Sequence, residues 1–232
     1  MIRLCKTKKD FGFILIDKET GPTSHDIIYK LRKITGIKKI GHAGTLDPFA
    51  SGLMIVAIDR RATKKIEKFV KLDKKYLATI ILGKETDTYD RDGKIISNYY
   101  GEKIPKQKIK KAILKIKNQT EQIPPMYSAK KINGKRLYEL ARKNIEIERK
   151  PQSIKIFYVK IKKYNWPELQ LDIYCSSGTY IRTIANDLGK ELGCGAYLKE
   201  LRRTAIEKYK IKKAKKIKGI NSNNWKKYLF NI

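Results

Sequence analysis

Apolar positions first appear as an almost unbroken block, "FGFILIDK" at 11–18, the pattern of a buried strand. The next stretch, "TGPTSHDIIYKLRKITG", turns and then becomes a helix. Thr23 or Ser24 stands where a cap is needed, Ile27, Ile28, Leu31 and Ile34 form the inner stripe, and Gly36 marks the stop. "LMIVAID" at 53–59 reads as a second buried strand, "ATKKIEKFVK" as a short helix using Ala62, Ile66 and Phe69, and "KYLATIILG" at 75–83 as a third strand. The acidic turn "KETDTYDRDGK" followed by "IISNYY" predicts a strand-loop-strand connection in an antiparallel sheet. Past Pro105, the spacing of Ile109, Ile113 and Ile116 predicts a helix.

Residues 119–150 break this pattern. They open on a double proline and turn residues and become a basic helix near 136–144, so the segment reads as an excursion from the core. Alternation then resumes in "SIKIFYVKIKKYN" and "ELQLDIYCSS", with Leu169, Leu171, Ile173 and Cys175 on one face. "TYIRTIANDLGKELG" follows as a helix whose buried side carries Ile181, Ile184, Leu188 and Leu192. Beyond "YLKELRRTAIEKYKI" the chain ends in a basic stretch, 211–232, with few apolar anchors and too short for a further domain. With no repeat and no linker, the reading is one mixed domain over 1–232, of α+β class, built on a mostly antiparallel sheet.

Composition narrows the function. A chain of 232 residues with 41% hydrophobic content can bury a substantial core. No run reaches the roughly 18 to 20 apolar residues of a spanning helix, and the first residues lack the pattern of a secretory signal, so the expected address is the cytoplasm. Cys5, Cys175 and Cys194 are too few and too scattered for a disulfide framework or a C-x-x-C metal site, which fits reduced thiols and no structural zinc. The formal charge of +31, from 54 Lys and Arg against 23 Asp and Glu, points to a polyanion, with nucleic acid first. The abundance of Lys, Ile, Asn and Tyr also fits a coding bias, and lysines often just solvate a face.

Several chemistries drop out. "GKET" at 83–86 lacks the first glycine of a P-loop and the hydroxyl residue directly after its lysine. There is no G-x-S-x-G, and two histidines leave little for a Ser-His-Asp triad. The candidate that remains is "GHAGTLDPFASG" at 41–52, where Gly41, Gly44 and Gly52 allow close approach of a ligand and Pro48 steers Asp47 away from helical geometry. Asp47 fits equally a ligand-facing carboxylate, acting as nucleophile or base, and an ordinary turn residue bonded to its own backbone. Arg182 in "CSSGTYIRTI" fits a partner for that carboxylate, a phosphate ligand or a surface arginine. Tyr76 fits a stacking platform for an unpaired base or a core residue, and His42 a support for an extruded base or a backbone-bonded imidazole.

Taken together, "GHAGTLDPFASGL", "KKYLATIILGKETDTYDRDG", "QIPPMYSAKKINGKRLYELAR", "CSSGTYIRTIANDLG" and "GAYLKELRRTAI" resemble, in order, the motifs of the TruB-type tRNA pseudouridine synthases over about residues 11–210. The resemblance implies the pseudouridine synthase fold and conversion of uridine 55 in the tRNA T loop to pseudouridine, with no metal or organic cofactor. It implies that Asp47 attacks the target, that Tyr76 stacks on its base, that Arg182 pairs with Asp47, that His42 fills the space left by the flipped base, and that Lys18 supports the catalytic loop. RNA contacts are expected from Tyr180, Lys130 and Arg202, and 119–150 corresponds to a thumb-like insertion that grips RNA.

The implied partner is the tRNA T arm, bound by a monomer with no membrane and no protein partner required. Many bacterial members continue into a PUA domain, which is not expected here, so 211–232 reads as a basic tail. Glu19 replaces a usual proline after the motif lysine, and Glu207 replaces a frequent glycine after "RRTAI"; both bear on local loop geometry. A reading of a different class is a tRNA-folding chaperone that binds and opens the T loop.

Overall fold

The computed structural model describes residues 10–232 apart from 129, 133 and 144, and the side chains of Lys131 and Arg136 are also outside the description. Cys5, expected as a reduced thiol, and Ala129 of the expected RNA grip therefore lie outside the described residues. The chain divides into two compact units, one running up to Leu72 together with Thr204–Ile232, the other Asp73–Arg203. Both combine strands and helices, and the pairing is mainly antiparallel, as expected for the α+β class.

In the first unit, strand Gly12–Lys18 lies antiparallel to Ser51–Ile58 in unbroken register from Gly12 opposite Ile58 to Lys18 opposite Gly52. Both strands are nearly all apolar and are buried along almost their whole length, the condition for a strand covered on both faces. Helix Ser24–Thr35 starts at Thr23, whose hydroxyl accepts from the Asp26 N–H while the Asp26 carboxylate accepts from the Thr23 N–H. It stops at Gly36 in the left-handed region, so both ends fall where the sequence placed them. The single helix expected from "ATKKIEKFVK" is two short ones, Arg60–Thr63 and Glu67–Val70. Between them Lys65 and Ile66 donate to carbonyls only three residues back, which tightens the chain and breaks the four-residue ladder.

The end of the chain belongs to this unit. Phe13, Phe69, Tyr209 and Phe230 form an aromatic cluster with ring centroids 4.6 Å apart for Phe13 and Phe69 and 5.4 Å apart for Tyr209 and Phe230. Phe13 and Phe230 exchange both backbone hydrogen bonds at 2.8 Å, and Lys215–Lys216 pairs parallel with the first strand. This close approach needs Gly12, where a Cβ would sit 2.6 Å from Asn231 Oδ1 and 2.8 Å from Phe230 O. Trp225 and Ile220 are buried as well, so 211–232 is held by apolar anchors despite its charge. Glu207, in the two-residue turn between Ile206 and its partner Tyr209, has φ 48°, the region glycine occupies without strain. Glu19 forms ion pairs with Lys216 at 3.1 Å and Lys218 at 3.6 Å.

In the second unit, Lys74–Leu82 pairs antiparallel with Glu168–Cys175, which pairs antiparallel with Ile156–Asn165. Leu169, Leu171, Ile173 and Cys175 are fully buried on one face of that sheet. Helices Lys106–Lys117 and Ile181–Leu192 pack against each other, burying Ile109, Ile113, Ile116, Ile184 and Leu188, while Leu192 is only partly covered. The segment read as an excursion is closed at its base by pairing of Gln122 with Gln152. Its helix is shorter than expected, Leu137–Ala141. An 11-residue strand, Ala196–Ile206, whose last three residues belong to the first unit, was not assigned from the sequence, because its alternation slips at exposed Glu200 and buried Leu201 and a charged residue, Arg203, takes a buried position.

Candidate active site

Asp47, His42 and Lys18 belong to the first unit; Tyr76, Arg182, Tyr180, Lys130 and Arg202 belong to the second. The Asp47 loop is gripped from both sides. Ser24 Oγ, at the start of the first helix, donates to Leu46 O at 3.1 Å and accepts from Leu46 N–H at 2.9 Å. On the other side Pro48 O accepts from Gly21 N–H at 2.9 Å and from Lys18 Nζ at 3.2 Å. Lys18 is fully buried, and its ammonium also donates to Glu19 O at 3.1 Å and Pro22 O at 2.7 Å. An ammonium has three protons, and three carbonyls receive them, which is how a buried cation is tolerated.

Asp47 O accepts from Ala50 N–H at 3.1 Å, closing the turn, while Gly44 at φ 101° and Gly52 at φ 114° take backbone shapes that side chains disfavour. The Asp47 side chain is half-buried at the centre of this clamped loop. His42 is half-buried, with its ring edge-on to His25 at 5.7 Å.

Arg182 is the second residue of helix Ile181–Leu192 and is 4% exposed. Its Nη1 donates to Asp90 Oδ2 at 3.1 Å and to Thr88 O at 3.3 Å, and Nη2 donates to Tyr127 O at 2.5 Å. Asp90 is equally buried, and its second oxygen accepts from Thr88 Oγ1 at 2.7 Å and from Asp92 N–H at 3.1 Å. The guanidinium thereby joins the helix start, the acidic turn and the insertion in one buried charged network. Asp90 was missed from the sequence because "TDTYDRDG" reads as a plain acidic turn; its spacing gives no sign that one of its acids points inward.

Tyr180, just before that helix, is fixed through its backbone. Its N–H donates to Gln122 Oε1 at 2.8 Å, and its carbonyl accepts from Gln122 Nε2 at 3.1 Å. Lys130 Nζ donates to Gln152 Oε1 at 3.0 Å, and Gln152 Nε2 donates to Gly178 O at 2.7 Å, tying the insertion to the turn that precedes Tyr180. Tyr76, 8% exposed, lies opposite Ile173 in the sheet. Arg202 is half-exposed, whereas its neighbour Arg203 is 1% exposed, as strand alternation requires.

Lys74, two residues before Tyr76, is 5% exposed and donates to Ser177 Oγ at 2.9 Å. Burial, then the charge of Arg203, lowers its pKa to about 8. Burial raises the Cys175 thiol to about 12, and Cys194 is shifted the same way for the same reason. Both cysteines are free and buried, which disfavours the thiolate and a role as nucleophile. Among the described residues no group of His, Cys, Asp and Glu is placed to hold a metal ion, and no helix is long and apolar enough to cross a membrane.

The second unit thus carries a buried Arg-Asp network at a helix start, and the first a carboxylate loop clamped by a buried lysine. The model of the TruB family pseudouridylate synthase N-terminal domain matches residues 32–181, and that of the tRNA pseudouridylate synthase B C-terminal domain matches 182–229. The chain belongs to the TruB family of pseudouridylate synthases. The tRNA pseudouridine synthase B of Chlamydia abortus (strain DSM 27085 / S26/3) is 50% identical over 201 residues, covering 86% of this chain and 84% of the relative. That of Endomicrobium trichonymphae is 47% identical over 211 residues, covering 91% of each.

Among solved structures, the crystal structure of a Cbf5-Nop10-Gar1 complex contains a chain 27% identical with a TM-score of 0.70, covering 89% of this chain and 52% of that one. An H/ACA RNP bound to a substrate RNA containing 2'-deoxyuridine contains another, 25% identical with a TM-score of 0.67, covering 93% and 54%. This chain thus spans about half the length of those solved chains. The second family match runs through most of the basic end that the sequence offered as a tail.

Proposed function

We propose that this protein is the cytoplasmic enzyme that converts uridine 55 of the tRNA T loop to pseudouridine, acting as a monomer. The observation that carries the reading is the family match across most of the chain, with 50% identity to a named tRNA pseudouridine synthase B. The reaction is an internal isomerisation. The bond from ribose C1' to N1 of uracil breaks, a bond from C1' to C5 forms, and the proton on C5 moves to a ring nitrogen, so atoms balance without a second substrate.

Asp47 supplies the anion for breaking the glycosidic bond. Its loop is held by Ser24, Gly21 and Lys18, so the carboxylate is placed before substrate arrives and does not have to be ordered by it. A buried target base must be flipped out at a cost of a few kcal/mol, and Tyr76 by stacking and His42 by filling the vacated space offset that cost. Arg182 pairs with the catalytic carboxylate in this scheme, and Asp90 fixes the angle of its guanidinium. Tyr180, Lys130 and Arg202 contact RNA, and the insertion at 119–150 closes on the T loop.

The chaperone reading is not favoured, because the relatives matched at high coverage are named for catalysis. The test is incubation with an unmodified tRNA transcript and chemical mapping of pseudouridine at each uridine. The expected product lies at the T-loop uridine alone. Modification only at other uridines, or none, contradicts the proposal.

A further inference from the structure

In a regular strand Phe157 and Tyr158 would point to opposite faces of the sheet. Here the register between Ile156–Asn165 and Glu168–Cys175 slips, with Ile156 opposite Cys175 and Tyr158 opposite Tyr174, so Phe157 is an extra residue with no partner of its own. Such a bulge re-aims side chains. Phe157 stacks on Tyr174 with ring centroids 4.5 Å apart at an interplanar angle of 30°, and Tyr158 lies 5.7 Å from the same ring. All three rings are half-buried rather than covered.

Lysines crowd this aromatic group. Lys155 Nζ lies 5.3 Å from the Phe157 ring centroid, Lys160 lies 4.9 Å from Tyr158, and Lys75 lies 4.8 Å from Tyr174 and 5.4 Å from Tyr158. Asp172 is the acid among them, and its Oδ1 accepts from the Tyr158 hydroxyl at 3.3 Å. Among the described contacts of these rings, ammoniums outnumber carboxylates, which favours a positive face. Lys75 pairs with Tyr174 and the next residue, Tyr76, pairs with Ile173, so the rings and Tyr76 lie on opposite faces of the sheet.

We propose that this bulged face is a second RNA-binding surface, which takes unpaired nucleotides by stacking bases on Phe157 and Tyr174 while Lys75, Lys155 and Lys160 hold the phosphates. Aromatic rings interleaved with cations are what a single strand recognises, since every base has a face to stack and every nucleotide a charge. A duplex offers the charge without the exposed bases. The inference rests on RNA being the substrate and adds a contact separate from that made with the target uridine, because Tyr76 faces the other way.

Phe157→Trp keeps an aromatic ring at the bulge and reports on stacking through its emission, read as the difference from wild type, which retains Trp166 and Trp225. The variant is titrated with a single-stranded oligonucleotide of about eight residues and with a blunt RNA duplex of equal phosphate concentration. The expected result is quenching by the single strand and not by the duplex, with affinity for the single strand about tenfold weaker when Lys155→Glu and Lys160→Glu are added. Unchanged emission, equal quenching by the duplex, or undiminished affinity in the charge-reversed variant each overturn the proposal. Pseudouridine formation by wild type is measured in parallel. Quenching without catalysis would sink the proposed reaction and leave the surface standing, and catalysis without quenching would do the reverse.

Discussion

Arg182 and Asp90 are a pair of charges placed out of water. Their ion pair is 3.1 Å long with both side chains about 5% exposed, and each makes further hydrogen bonds, so neither can lose its partner cheaply. Asp90→Asn leaves a buried guanidinium facing a neutral amide, which is expected to lower stability by about 3 kcal/mol. Because it also frees the guanidinium to turn, kcat is expected to fall more than tenfold with a small change in KM; urea denaturation and single-turnover assays read the two effects.

Lys74 carries a different signature. Its pKa is about 8 in the folded protein and near 10.5 when unfolded, so the folded state holds fewer protons than the unfolded one between those values, and stability rises with pH across that window. Below about 8 the cost of burying the charge is present in full. Lys74→Met is therefore expected to raise Tm at pH 7, and the gain should shrink as pH climbs toward 10; an equal gain at both would contradict the burial argument.

At the scale of elements, the turn at Glu207 is one of three described places, with Asp59 and Tyr89, where a side chain sits in the region that glycine prefers. A side chain at φ 48° costs on the order of 1 kcal/mol relative to glycine. Glu207→Gly is expected to raise the urea midpoint correspondingly, and no change would mean that the turn relaxes by other means. The long elements were legible from the sequence: Thr23 and Gly36 bound their helix, and alternation marked Leu169 to Cys175.

Three features were not legible, for physical reasons. The strand Ala196–Ile206 hides in charged residues, the bulge at Phe157 depends on register with another strand, and the break between Arg60–Thr63 and Glu67–Val70 is a local tightening that periodicity does not carry. Of the site, the Asp47 loop stood out by its glycines. Asp90 and the reach of Lys18 to Pro48, thirty positions away, are products of folding that spacing cannot show.

At the scale of the molecule, a formal charge of +31 and the family match point to one kind of partner, and the proposed function gives the clamped Asp47 loop the chemistry for acting on it. In the proposed function charge is expected to drive binding and make it sensitive to salt, while catalysis is assigned to a single carboxylate. These roles separate in Asp47→Asn, which keeps size and hydrogen-bonding capacity and removes the anion. The most direct test of the central claim is a comparison of wild type and Asp47→Asn on the same unmodified tRNA, with binding measured by filter retention and pseudouridine mapped at the T-loop uridine. The account predicts tRNA affinity within about threefold, roughly 0.6 kcal/mol, and no detectable pseudouridine with the variant. Pseudouridine formed at that uridine by the variant at the wild-type rate would contradict it.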